Sequence, residues 1–323
     1  MTTNQEPAAT PLRIGVSACL LGEEVRFDGG HKRDLFVVQT LSRFVTFVPV
    51  CPEVEIGLGT PREAIRLVDR DGRLHLAGVK SGRDHTDSML RYGERRTAEL
   101  AKQGLSGYIL KRDSPSCGME RVRVYSAKGL PARTGRGLFA ASLLENLPLL
   151  PVEEEGRLQD SRLRENFIER VFAYRRLRYL LGGRWRVGDL VRFHTAEKML
   201  ILSHEPRAYQ ELGRLVAGAK AMPREEVAGS YQAVFMGALS RLATPARHTN
   251  VLQHMAGYLK KQLSPAEKRE LAEVIGDFRA GLVPLVVPLT LLRHYVRLHQ
   301  VAYLAGQTYL EPHPKELMLR NHV

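Results

Sequence analysis

The hydrophobic pattern of this chain changes period near its middle, and that change limits the fold more than any other feature. Up to about residue 156, short apolar runs alternate with amphipathic stretches, the order expected of a parallel sheet flanked by helices. Arg13–Ala18, Val45–Val50, Gly107–Leu110 and Arg121–Tyr125 read as the clearest strands. Thr86–Gln103 reads as a crossover helix, Leu138–Asn146 as another, and Pro148–Gly156 as a last strand followed by an acidic turn. Beyond this point the apolar period is helical, with helices expected at Arg162–Leu181, Val187–His204, Pro206–Ala219, Arg224–Leu242, Thr249–Leu263, Ser264–Ala280 and Leu289–Leu304. Gly182 and Gly183 suit a helix end, Asp189 a helix start, and Ser264-Pro265-Ala266-Glu267 has the form of a capping box. The expectation is an α/β domain with a mainly parallel sheet flanked by helices over residues 11–156, followed by an all-α domain over residues 157–323.

Charge divides at the same place. Residues 157–323 hold 26 Lys and Arg against 15 Asp and Glu, a net +11, whereas residues 1–156 carry a net +2. Cations gathered on one body attract phosphates and release their counterions, so the second domain reads either as a polyanion binder or as a solvated basic surface. The first ten residues contain neither a basic start nor an apolar run, so a cytoplasmic protein is expected. The longest apolar stretch, Gly281–Leu292, is short and carries Pro284 and Pro288, so it reads as core and no membrane partner is expected.

The three cysteines, Cys19, Cys51 and Cys117, cannot close a set of disulfides. Each stands at or just past the C-terminal end of an expected strand, and in an open parallel sheet those ends line the edge where ligands bind. Turn-forming and polar neighbours, Cys51-Pro52-Glu53 and Ser114-Pro115-Ser116-Cys117-Gly118, place them in loops rather than in a core. Three thiolates are one short of the usual four for a 4Fe-4S cluster, which leaves an iron open to substrate. Zinc held by three thiolates and a water, or three simply buried cysteines, remain alternatives at this level.

The segments Cys19-Leu20-Leu21-Gly22, Val25–Lys32, Cys51–Leu67 and Lys111–Gly118 closely resemble the thiouracil desulfidase family, also catalogued as domain of unknown function 523. From about residue 165 onward, including Ser203–Ala217 and Arg247–Ser264, the chain resembles the helical domain of unknown function 1722. The fusion is similar to two-domain desulfidases that convert 4-thiouridine in transfer RNA to uridine. The resemblance implies a 4Fe-4S cluster on Cys19, Cys51 and Cys117, with Glu53 and Ser114 acting on substrate or water. Ser116 competes with Ser114 for that role, and Phe27 stands where the family more often has tyrosine.

Ser17, Ser116 and the turn Asp28-Gly29-Gly30-His31-Lys32 are the expected substrate contacts, the turn offering backbone amides and a lysine to an anion. Glu53 is placed to take a proton from an attacking water, although a loop carboxylate paired with Arg62 is the plainer reading. In the basic domain, Arg175, Arg176, Arg178, Arg247, His248, Asn250, Lys260 and Lys261 are the first candidates for RNA phosphate contacts. Tyr258 and Trp185 are candidates to support a base turned out of its stack. Transfer RNA is the expected partner, DNA is not, and nothing in the sequence demands an oligomer. Desulfuration of free thiouracil or thiouridine, and a zinc-stabilised RNA-binding module without catalysis, are the competing readings.

Overall fold

The computed structural model describes residues 12–126 and 128–322, so Pro11, where the first domain was expected to begin, and the residues before it lie outside the described region. The chain divides into two compact units after Gln159.

The described strands of the first unit are β1 (Arg13–Ser17), β2 (Thr46–Val50), β3 (Ile65–Arg70), β4 (Arg73–Gly78), β5 (Leu105–Leu110), β6 (Val122–Tyr125), β7 (Pro131–Gly135) and β8 (Val152–Glu154). They form two sheets. The first is parallel throughout, in the order β2-β1-β5-β8, with β1 and β2 in register from Arg13 opposite Thr46 to Ser17 opposite Val50. All six residues of β5 are buried, as expected of a central parallel strand covered on both faces. Between the strands run a short α1 (Pro52–Glu55), α2 (Thr86–Lys102) and α3 (Leu138–Asn146). The last two lie together, with the Tyr92 and Phe139 rings 5.7 Å apart and Asn146 Nδ2 donating to Thr97 Oγ1 at 3.0 Å.

The second sheet, in the order β4-β3-β6-β7, was not expected. Arg121–Tyr125, read as a strand of the main sheet, pairs instead with β3 in parallel and with β7 antiparallel. Its composition explains the difference: Val122 and Val124 are buried while Arg123 faces solvent, an alternation that suits a one-sided sheet. The β3–β4 hairpin turns at Asp71 and Gly72, both at positive φ (52° and 78°). Asp-Gly between two alternating runs is the strongest short-range hairpin signal and was available in the sequence.

The second unit is helical: α4 (Ser161–Leu181), α5 (Val187–His204), α6 (Pro206–Gly218), α7 (Arg224–Leu239), α8 (Pro245–Tyr258), α9 (Pro265–Arg279), α10 (Val286–Leu298) and a short α11 (Ala302–Ala305). The capping box of α9 is complete, with Ser264 N donating to Glu267 at 2.7 Å and Glu267 N to Ser264 Oγ at 3.3 Å. Asp189 is not the cap of α5. It sits in the first turn and accepts from the backbone N–H of Arg186 at 2.7 Å. α8 begins earlier than expected because Thr244 caps it, accepting from Arg247 N at 3.3 Å with Pro245 at the first position. Near the C-terminus the buried Arg320 bonds Glu169 at 2.6 Å and Glu165 at 3.2 Å, tying the tail to α4, and Glu169 also meets His204 at 3.2 Å. Among the described residues no helix is long and apolar enough to cross a membrane.

Candidate functional site

The parallel sheet brings the three cysteines to one edge. Cys19 lies in a 3-10 turn (Ala18–Leu21) directly after β1, and Cys51 follows β2 and starts α1. The loop after β5 is drawn to the same place because Lys111 N donates to Ser17 Oγ, at the end of β1, at 3.0 Å. All three cysteines line one cavity of about 450 Å³, together with Ser17, Glu53 and Ser114. Cys19 and Cys117 are buried and Cys51 is half-buried.

The Cys117 loop is held from two sides. Behind it, the first turn of α3 donates Gly137 N to Gly118 O at 2.8 Å, Leu138 N to Pro115 O at 3.2 Å and Ala140 N to Ser116 O at 3.1 Å. A Cβ on Gly137 would lie 2.4 Å from Ser116 O and 2.8 Å from Cys117 N, so only glycine permits this approach. On the other side, the supposed acidic turn is a buried anchor. Glu154 accepts from Met119 N at 2.6 Å, and Glu155 accepts from Arg112 N at 2.7 Å and pairs with Lys111 Nζ at 2.5 Å. Sequence reading missed this role; the signal was a run of three glutamates in an apolar setting.

Glu53 forms the Arg62 pair of the plainer reading and also lines the cavity. Its Oε2 pairs with Arg62 Nη2 at 2.6 Å and Nε at 3.2 Å, while its Oε1 accepts from Ser116 Oγ at 3.0 Å. Arg62 is itself fixed by Val25 O at 3.0 Å and Gly59 O at 2.7 Å. The two serines do different things. Ser116 is fully buried and holds Glu53, whereas Ser114 lines the cavity and its Oγ accepts from Ser116 N at 3.2 Å and Cys117 N at 3.0 Å. Two N–H groups aimed at the Ser114 oxygen leave its hydroxyl proton as the remaining donor.

Burial pushes the Cys19 thiol up to about 11, with Lys111 pulling the other way. Burial also raises Cys51 and Cys117, with Glu53 adding to the effect at Cys117 and the Ser17 hydroxyl opposing it. Thiolates in such a place need a positive group beside them, which a metal centre provides. No three His, Cys, Asp or Glu side chains among the described residues gather on a single point as one ion requires. All three thiols line the same cavity, and three thiolates are a donor set that can hold a 4Fe-4S cluster with one iron left open.

Of the Asp28–Lys32 turn, only Lys32 lines the cavity. Asp28 Oδ1 closes the turn on Gly30 N at 3.1 Å and pairs with Arg26 at 3.4 Å, and His31 Nδ1 accepts from Arg33 N at 3.2 Å. Phe27 lines the cavity with an exposed ring and no hydroxyl.

In the helical unit several candidate RNA contacts are spent on structure. His248 is buried and its Nδ1 meets the Tyr309 hydroxyl at 2.9 Å, so it does not reach a phosphate. Arg176 forks onto the buried Glu197 at 2.6 and 3.1 Å and donates to Pro312 O at 3.0 Å. Arg247 donates to His204 O at 2.5 Å, closing the end of α5. Trp185 is core. Arg175 and Arg178 are half-buried, Arg178 lying over the Tyr174 ring at 5.7 Å, whereas Asn250, Lys260 and Lys261 are exposed.

The family model described as 2-thiouracil desulfurase matches residues 14–155, and the protein of unknown function (DUF1722) model matches residues 198–314. The uncharacterized protein YbgA of Escherichia coli (strain K12) is 32% identical over 161 residues, covering 50% of this chain and 95% of YbgA. The uncharacterized protein YbbK of Bacillus subtilis (strain 168) is 34% identical over 138 residues, covering 40% of this chain and 88% of YbbK. A solved structure of the [4Fe-4S]-dependent thiouracil desulfidase TudS is 33% identical, covers 46% of this chain and 93% of its own, and superposes with a TM-score of 0.37. The cysteine-lined first unit and the basic helical second unit therefore place the chain in the family that joins a 2-thiouracil desulfurase domain to a DUF1722 domain.

Proposed function

We propose that this chain is a desulfidase that converts 4-thiouridine in transfer RNA to uridine, with a 4Fe-4S cluster on Cys19, Cys51 and Cys117. The observation that carries the reading is that three thiols from three separate loops line one cavity beside a fixed carboxylate and a serine hydroxyl. When bound, a cluster on three thiolates supplies an iron without a protein thiolate, a soft Lewis acid suited to a thiocarbonyl sulfur.

The protein's own groups supply the rest. Arg62 and Ser116 fix Glu53, whose Oε1 keeps a lone pair with which to accept a proton from water. The Ser114 hydroxyl, backed by two amides, is the proton donor on the cavity wall. Water adds its oxygen to the ring carbon, the carbon–sulfur bond breaks and sulfur leaves as sulfide, so the reaction is a hydrolysis that consumes no electrons. The net +11 of the helical half supports a polynucleotide over a free base.

Anaerobic purification with iron and sulfide assays tests the cluster, and colourless, iron-free protein would end this reading. Nucleoside mass spectrometry of thiolated transfer RNA after incubation tests the substrate. Turnover of free 4-thiouracil or 4-thiouridine with none of the RNA would assign the free-base reading instead. Glu53→Ala that loads its cluster and turns over normally would remove Glu53 from the chemistry.

A further inference from the structure

We propose that the helical unit carries a stacking platform for an unpaired RNA base, built on Tyr258 and Tyr303 and flanked by lysines; the proposal rests on the RNA-substrate reading above. Tyr258 ends α8, and its ring lies 4.8 Å from that of Tyr303 in α11 at an interplanar angle of 33°. Lys198, from α5, sets its Nζ 5.1 Å from the Tyr303 ring centre. One turn before Tyr258, His254 meets it edge-on at 5.5 Å. Three helices distant in sequence thus converge on a pair of rings, yet Tyr258 remains 42% exposed. Tyr303 is half-buried beneath Tyr258, so the pair runs from the interior to solvent and offers the partly exposed Tyr258 ring to a further planar group.

The surroundings select that group. Asn250, His254 and Tyr258 are four residues apart on one exposed helix face, which offers an amide and an imidazole beside the ring. Lys261 follows three residues on and is exposed, whereas Lys260 lines the groove between α8 and α9 with Gln253 and Leu271; neither Lys261 nor Lys198 forms an ion pair among the described residues. A π-face with unneutralised cations at its edge suits a nucleobase whose flanking phosphates reach the lysines. An apolar protein partner would leave those ammonium groups desolvated and unpaired.

The test is the affinity of the full-length protein for unmodified transfer RNA, read by fluorescence anisotropy at several salt concentrations. Tyr258→Ala should weaken binding by about 5- to 160-fold, the range for losing one base–aromatic stack. Tyr258→Trp should retain wild-type affinity, which separates lost stacking from lost folding. Lys261→Gln should reduce the slope of log K against log salt by about 0.7 to 0.9. Equal affinity of Tyr258→Ala and wild type overturns the platform. A dimer that Tyr258→Ala dissociates in sedimentation, with RNA affinity unchanged, also overturns it and makes this face a contact between copies. Wild-type protein that binds no transfer RNA but turns over free thiouracil overturns both the platform and the RNA substrate while sparing the desulfidase reading.

Discussion

Ser116→Ala tests how the site works, because the Ser116 side chain is fully buried and meets the proposed machinery through one bond only. Its Oγ donates to Glu53 Oε1 at 3.0 Å, and its side chain does not line the cavity. A hydrogen bond to a charged group contributes about 1.5 to 3 kcal/mol. Arg62 keeps its two bonds to Oε2 in the variant, so Glu53 stays in place but free to rotate about that anchor. If the whole loss falls on the chemical step, kcat decreases by about 13- to 160-fold. Iron per protein should be unchanged, since no thiol loses a partner. Ser114→Ala serves as the contrast. It strips the acceptor from Ser116 N and Cys117 N and should lower iron content as well as rate. Stopped loss of the thiouracil absorbance, normalised to iron, gives the rate. Wild-type kcat in Ser116→Ala would refute the positioning of Glu53 by this serine, and iron loss equal to that of Ser114→Ala would move its role to the cluster loop.

Gly137→Ala should displace the Cys117 loop, because the new methyl overlaps backbone at Ser116; overpacking of this kind costs about 1 to 3 kcal/mol and should appear as reduced iron retention during gel filtration. Arg320→Met leaves Glu169 buried without its guanidinium and should destabilise the chain by about 3 to 5 kcal/mol in urea unfolding, with Arg320→Lys less severe. Stability should also peak near pH 6.5. Burial holds His194, His248 and His313 down to about 4, 3 and 4, so the unfolded chain takes up protons that the fold refuses as pH drops below 6.5. Burial, helped by Glu169, holds Glu165 above the usual carboxylate range, and the stability this carboxyl contributes is full at acid pH and lost as pH rises. The three imidazoles outweigh the two carboxyls, Glu165 and Glu154, that burial raises, so stability falls as pH drops below 6.5. Thermal melts between pH 5 and 8 check this, and Glu165→Gln should flatten the alkaline side and steepen the acid side.

Several parts of the site were legible without coordinates, for local reasons. A strand that ends in cysteine followed by turn formers can only present that cysteine at a sheet edge, and Ser264 through Glu267 caps α9 through bonds between near neighbours. Other parts were misread because the same residues satisfy two local descriptions. Val122–Tyr125 is a strand in either sheet, and only its partners β3 and β7 assign it. Glu153–Glu155 looks like a solvated turn until Met119, Arg112 and Lys111 arrive from far along the chain to receive it. His248 and Arg176 read as basic surface because charge alone does not reveal which face of a helix is covered.

The sequence by itself determined the two-unit architecture, the strand ends on which the cysteines sit and the number of thiols available to a cluster. These follow from hydrophobic period and from residue types that act over a few positions. Tertiary structure decided the different hydrogen-bond partners of Ser114 and Ser116, the joint hold of Arg62 and Ser116 on Glu53, and which basic residues remain exposed. Those depend on donor directions and on burial by segments dozens of residues away, and a hydrogen bond 3.0 Å long between Ser116 and Glu53 has no signature in the spacing of the chain.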